Sequence, residues 1–296
     1  MTDGRSAGRP PPVITDGHVS YAGYPTRRLT VAGAGQTIVL LHGFGHPSDC
    51  WRPVLTRYAA DGQRAVAVDL PGFGAAGPLH AGPALPQLDR FVDAVVDAHA
   101  DTGPVVVMGN SLGGLLAVRA ADAGRALPLG GAVALNAAGF GWTPLFRFAT
   151  GVGFRPMVAI AVLPAPAGLR AAIGDRVAER LLYGRRDLID PAMVRLMTAQ
   201  IRHHRDARGL LGVGVRIVPE VNAIPPVGDL ACPAVIVHGR RDRIVSARAS
   251  RSLHDAIPGS RLVMLPFAGH CPHLDEPDRV ATTARELCTA ERRRRA

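Results

Sequence analysis

No lysine occurs among the 296 residues; all 34 basic side chains are arginine, against 24 acidic ones, giving a net charge of +10. The arginines are scattered apart from Arg292 to Arg295, which are read as a basic tail over 291–296. Nucleic-acid binding would want that charge focused on one helix or interleaved with aromatics, so no nucleic-acid partner is expected. The four cysteines, Cys50, Cys232, Cys271 and Cys288, lie far apart and form no CxxC pair. They read as free thiols of a reducing compartment, and a cytoplasmic location is expected. No HExxH or Cys/His ligand spacing occurs, and His203 and His204 are helix neighbours pointing in different directions, so no metal site is expected. The start, Met1 to Pro12, has no apolar core of a signal peptide and reads as a disordered tail. No apolar run reaches membrane-spanning length: Pro156 to Gly168 is short and carries Pro164 and Pro166.

What is present begins with Val105-Val106-Val107-Met108-Gly109-Asn110-Ser111-Leu112-Gly113-Gly114. An apolar run fit for a buried parallel strand ends in a tight Gly-x-Ser-x-Gly bend, and an Ala-rich helix follows. That context turns a weak five-residue match into a nucleophile elbow: the serine hydroxyl points out of the bend, and the helix N-terminus faces any oxyanion formed beside it.

Around the elbow, strands and helices alternate. His18 to Val31 predicts an antiparallel edge hairpin. Strands are expected at Thr37–Leu41, Arg64–Val68, Gly131–Leu135, Ala234–Val237 and Arg261–Leu265. Leu88, Phe91, Val92, Val95 and Val96 recur at helical spacing. Such alternation implies a mostly parallel sheet covered by helices on both faces, an α/β class. Residues 140–229 break the pattern with helical stretches and no good strand; Asp190-Pro191 marks one helix start. The expected organisation is a core of 13–139 and 230–290 with a helical lid at 140–229.

A serine hydroxyl needs a base, and the base needs a group to orient it. In an open parallel sheet both belong at carboxyl ends of strands. Ala234–Val237 ends in His238-Gly239-Arg240-Arg241-Asp242, and Arg261–Leu265 ends in Pro266-Phe267-Ala268-Gly269-His270. The expected catalytic set is therefore Ser111, Asp242 and His270, with His273 as the competing imidazole. Asn136, after the preceding strand, is not an acid and leaves that alternative place empty. The expected oxyanion donors are the amides of Leu112 and of Phe44, whose flanking glycines let the backbone approach. His42 is expected to brace its loop, and His238 to be a turn residue. Gly72 to Gly77 matches G-x-G-x-x-G literally, but the prolines that follow start no helix, and no cofactor is expected.

Five motifs in this order, Leu-Leu-His-Gly-Phe-Gly (40–45), Asp-Leu-Pro-Gly-Phe-Gly (69–74), Gly-Asn-Ser-Leu-Gly-Gly (109–114), His-Gly-Arg-Arg-Asp (238–242) and Gly-His-Cys-Pro-His-Leu (269–274), resemble the α/β-hydrolase superfamily over roughly residues 30 to 290. The resemblance implies a Ser-His-Asp mechanism and a lid that shapes the substrate pocket. Dehalogenases and epoxide hydrolases of this fold carry aspartate where Ser111 stands. Prolyl aminopeptidases usually carry Trp at the position of Leu112. The Gly-Asn-Ser elbow is similar to that of meta-cleavage-product C–C hydrolases, which typically have Trp where Cys271 stands. The expected function is cleavage of a small-molecule carboxylic ester through an acyl-enzyme; the alternatives are a C–C bond hydrolase and a non-catalytic ligand-binding member of the fold. Phe140, Trp142, Leu145, Phe146, Met193 and Met197 are the expected pocket walls.

Overall fold

The computed structural model describes residues 13–144, 146–147, 166–202 and 204–295. The tail 1–12, Leu145, His203 and most of the apolar run 156–168 lie outside the described residues. Among the described residues eight strands form one sheet: β1 (Ile14–Tyr21), β2 (Tyr24–Val31), β3 (Ala34–Leu41), β4 (Gln63–Val68), β5 (Val105–Asn110), β6 (Leu129–Leu135), β7 (Ala234–Gly239) and β8 (Arg261–Leu265). Their order is β1-β2-β4-β3-β5-β6-β7-β8. The β1–β2 hairpin joins β4 antiparallel, and the strands from β4 to β8 are parallel. The hairpin turns at Ala22 and Gly23, both with positive φ, as a tight two-residue turn requires.

The period-2 alternation of side chains explains why β3 to β7 read as unbroken apolar runs. Ile38, Leu40, Val106 and Met108 face one cluster, with Trp51, Leu55 and Tyr58. Val39, Leu41, Val105 and Val107 face the other, with Leu88, Phe91 and Leu115. The covering helices are α1 (Arg52–Asp61), α2 (Leu85–Ala98), α3 (Leu112–Ala120), α8 (Ala247–Ala256), the short α9 (Pro272–Asp275) and α10 (Pro277–Arg295). Ser246 caps α8 by accepting from the Ala249 amide at 3.2 Å. The terminal arginine run, expected as a tail, continues α10 as far as Arg295, because nothing in Cys288 to Arg295 breaks a helix.

Between β6 and β7 the described residues include the helices α4 (Ala167–Leu182), α5 (Pro191–Met197), α6 (Ala199–Arg202) and α7 (His204–Asn222). Asp190 caps α5, its carboxylate accepting from the Ala192 amide at 2.8 Å. The insertion is fastened to the core at two places. Glu220 on α7 accepts from the Ala84 and Leu85 amides at 2.7 Å each, at the start of α2. After α4, the amides of Gly184 and Arg185 donate to the buried Asp275. No helix among the described residues is long and apolar enough to cross a membrane.

Candidate active site

Ser111 sits between β5 and α3 with φ 53° and ψ −111°, a strained backbone for a residue bearing a Cβ. The bend is held by its own amide, which donates to the Leu135 carbonyl at 2.9 Å, and by its carbonyl, which accepts from the Ala138 amide at 3.0 Å. The flanking glycines answer to close approach. A Cβ on Gly109 would lie 2.0 Å from the Gly113 carbonyl oxygen, and one on Gly113 would lie 2.1 Å from that of Leu41. Strand and helix therefore cross where only hydrogen fits.

Asp242 and His270 meet at the same edge of the sheet. His270 Nδ1 is 2.9 Å from Asp242 Oδ2, with the carboxylate fully buried and the imidazole nearly so. Asp242 Oδ1 accepts from the amides of Ile244 at 2.7 Å and Val245 at 3.1 Å, so the acid is held from both sides. A carboxylate oxygen only accepts, so its contact fixes the proton of His270 on Nδ1, leaving Nε2 free as a base. The Ser111 hydroxyl has no hydrogen-bond partner among the described residues. The residue before it supplies the link: Asn110 donates its side-chain amide to the His270 carbonyl at 2.8 Å.

His273 is the imidazole that Asp242 does not engage. It is buried, stacks on Trp51 with centroids 4.3 Å apart, and neither ring nitrogen has a partner among the described residues. Burial pushes it down to about 3, so it is neutral. His238 is also buried, bonded to the Ser250 hydroxyl at 2.8 Å and pushed down to about 4 by burial. His42 braces its loop as expected: Nε2 accepts from the Leu70 amide at 2.8 Å, which puts the proton on Nδ1, facing the Gly43 carbonyl at 2.8 Å.

Leu112 opens α3, where the first N–H has no partner within the helix. Phe44 lies on the loop after β3, its ring edge-on to Phe73 with centroids 5.1 Å apart. A Cβ on Gly43 would stand 3.3 Å from both Ser111 Cβ and His46 Nδ1, which puts this loop against the serine. Among the wall candidates, Phe140 is half-buried against the core, and Trp142 packs on Phe146 at 5.1 Å while its indole N–H donates to Asn222 at 2.7 Å. Met193 is instead buried in the core cluster with Trp51 and Leu274, as is Met197, so both are engaged in packing. Two side chains that sequence reasoning misses, Leu210 and Val213 on α7, stand over Gly45 and Gly72 beside Phe44. Their period on an amphipathic helix is the only signal, and it does not say which loop they face. Asn136 is also missed as a participant; it bonds Asp242 directly. No group of three or more His, Cys, Asp or Glu that could hold a metal occurs among the described residues.

The profile of the alpha/beta hydrolase family matches residues 38–283. Pimeloyl-[acyl-carrier protein] methyl ester esterase of Stenotrophomonas maltophilia is 30% identical over 271 residues, covering 88% of this chain and 96% of that protein. The enzyme of the same name from Chromobacterium violaceum is 31% identical, covering 87% and 96%. Among solved structures, a 2-hydroxy-6-oxo-6-phenylhexa-2,4-dienoate hydrolase from a Rhodococcus species superposes with a TM-score of 0.73 at 20% identity, covering 93% of this chain and 99% of that one. That last likeness is one of fold.

Proposed function

The chain belongs to the alpha/beta hydrolase family, and from that premise we propose that it cleaves carboxylic esters through an acyl-enzyme formed on Ser111. It is a hydrolase of the carboxylesterase-like class. The observation that carries the proposal is the buried 2.9 Å pairing of Asp242 with His270 at the strand edge where Ser111 stands on its forced bend.

In this reading His270 Nε2 takes the Ser111 proton as the hydroxyl attacks the ester carbonyl. Asp242 holds the imidazole and stabilises its charged form. The amides of Phe44 and Leu112 receive the oxyanion, His270 returns the proton to the departing alcohol, and a water activated by the same nitrogen releases the acid. The serine–histidine hydrogen bond belongs to the substrate complex, as such contacts often tighten only there. The helical insertion acts as a lid, with Phe140, Trp142 and Phe146, joined by Leu210 and Val213, as apolar walls. The relatives named as methyl ester esterases support a small alcohol as leaving group. The location is proposed as cytoplasmic, in keeping with four thiols and no disulfide.

The test is a fluorophosphonate label followed by turnover of p-nitrophenyl and methyl esters beside a vinylogous 1,5-diketone. Wild-type protein should label and turn over the esters; Ser111→Ala should do neither, and His270→Ala should lose several orders of magnitude in rate. Dominant diketone turnover would overturn the ester reading. Loss of activity in His273→Ala with retention in His270→Ala would overturn the base assignment.

A further inference from the structure

Asn136 follows β6, the strand between the one that carries the serine and the one that carries the acid. It is fully buried, and its φ of 44° is left-handed, a conformation asparagine tolerates better than most residues. Its main-chain amide donates to the Val237 carbonyl at 2.9 Å. Its side-chain oxygen accepts from the Gly239 amide at 3.0 Å, where β7 ends. Its side-chain nitrogen donates twice: to Asp242 Oδ2, and to the Gly269 carbonyl at 3.0 Å. The orientation of the amide is settled by these partners, since the Gly239 N–H needs an acceptor and the other two need donors.

The oxygen of Asp242 that Asn136 touches is the one that accepts from His270 Nδ1. The peptide oxygen it touches belongs to the residue just before His270. We infer that Asn136 is a positioning residue of the ester-cleaving site, tying the acid loop and the histidine loop together and setting how strongly Asp242 holds the His270 imidazolium. The inference rests on the Ser111–His270–Asp242 reading above.

The residue type follows from the chemistry. Both Asp242 Oδ2 and the Gly269 oxygen are acceptors, so the group between them must offer two hydrogens. An amide does so without charge, whereas a cation would neutralise the acid. A carboxylate would oppose two acceptors at once. Each hydrogen bond into Oδ2 also withdraws negative charge from the oxygen facing His270. Removing the Asn136 donor therefore leaves that oxygen more basic, which favours the protonated imidazole.

The test uses two variants of the full chain. Asn136→Gly keeps the left-handed backbone and removes the amide. Asn136→Asp keeps the volume and the acceptor for Gly239 but sets a carboxylate against two acceptors, so it is the more disruptive of the two, and the glycine variant carries the test if it does not fold. Both should lose about tenfold to a hundredfold in kcat, the range for a hydrogen bond to a charged group, with KM nearly unchanged. Both should also shift the acid limb of the kcat/KM profile upward by about half a pH unit or more, further for Asn136→Asp. A purely structural role would lower the melting temperature and leave the limb in place. The other titratable groups around His270 are His46, His238, His273, Cys271 and Asp275, all unaltered in the variants. Folded variants with kcat within about twofold of wild type and an unmoved limb would overturn the inference. Should Ser111→Ala or His270→Ala keep its activity, the underlying site reading fails instead.

Discussion

Asn110 and His270 are joined by a 2.8 Å hydrogen bond from a side-chain amide to a main-chain carbonyl, although 160 residues separate them. The same amide donates to the Leu135 carbonyl at 3.3 Å, and its oxygen receives the Cys271 thiol at 3.7 Å. The strand that delivers the serine thus holds the peptide that delivers the histidine. Asn110→Ala would leave the His270 carbonyl buried and unpaired, at a cost of about 1–3 kcal/mol. Urea unfolding should register that loss, and kcat should fall by about tenfold or more as the imidazole drifts from Ser111. Asn110→Asp should be worse on both counts, because it sets an acceptor against an acceptor. Equal activity in the two variants would argue against this role.

The elbow glycines allow a contrast within one protein. Gly113→Ala drives a Cβ into the Leu41 carbonyl, which is backbone and cannot swing aside. It should destabilise by more than about 3 kcal/mol or prevent soluble expression. Gly212, inside α7, has nothing among the described residues within 4 Å of the same position. Gly212→Ala should stabilise by about 0.4–1 kcal/mol, since it cuts only the freedom of the unfolded chain. Thermal unfolding of the pair measures both signs.

The proposed set of Ser111, Asp242 and His270 is legible in the sequence because each follows an apolar run that reads as a strand, and carboxyl ends of strands share one edge. The hairpin, the parallel sheet and the helix start at Asp190 are legible for the same local reasons. Asn136 is not, since its meaning depends on Asp242 and Gly269, 106 and 133 residues away. An uncharged side chain at a strand end looks like an empty acid position until the loops it joins are seen. Met193 misleads in the opposite direction: an apolar stripe on α5 is the same whether it faces a pocket or Trp51.

Glu220 clasps the insertion to the core. Its two oxygens take the amides of Ala84 and Leu85 at the positive end of α2, and Arg216, one turn earlier, donates to the His80 and Gly82 carbonyls. Pro219 removes an intrahelical bond from α7 at this place, so the clasp supports a weakened turn. Glu220→Ala should cost about 1–2 kcal/mol in stability. It should also speed proteolysis within 166–229 and raise KM more than it lowers kcat, because Leu210 and Val213 ride on the same helix. A KM equal to wild type would detach α7 from substrate binding.

His273 gives the stability of this protein an acid-sensitive component with a defined sign. Its imidazole titrates near 3 when folded, because burial disfavours the cation, against about 6.5 in an unfolded chain. Between those values the unfolded state binds the extra proton, so stability falls as pH drops through that window and is unaffected above it. The slope is about 1.4 kcal/mol per pH unit, hence about 2 kcal/mol lost by pH 5. His273→Phe preserves a ring to stack on Trp51 and removes two nitrogens that have no partner among the described residues. The variant should match or exceed wild-type stability at pH 7.5 and gain on it progressively at pH 6, 5.5 and 5. His238, pushed down to about 4, and Asp275, raised by burial, titrate in both proteins and cancel in the difference. Unfolding free energies from urea titrations at these pH values decide the matter: curves that stay parallel would mean that His273 does not titrate as its burial dictates.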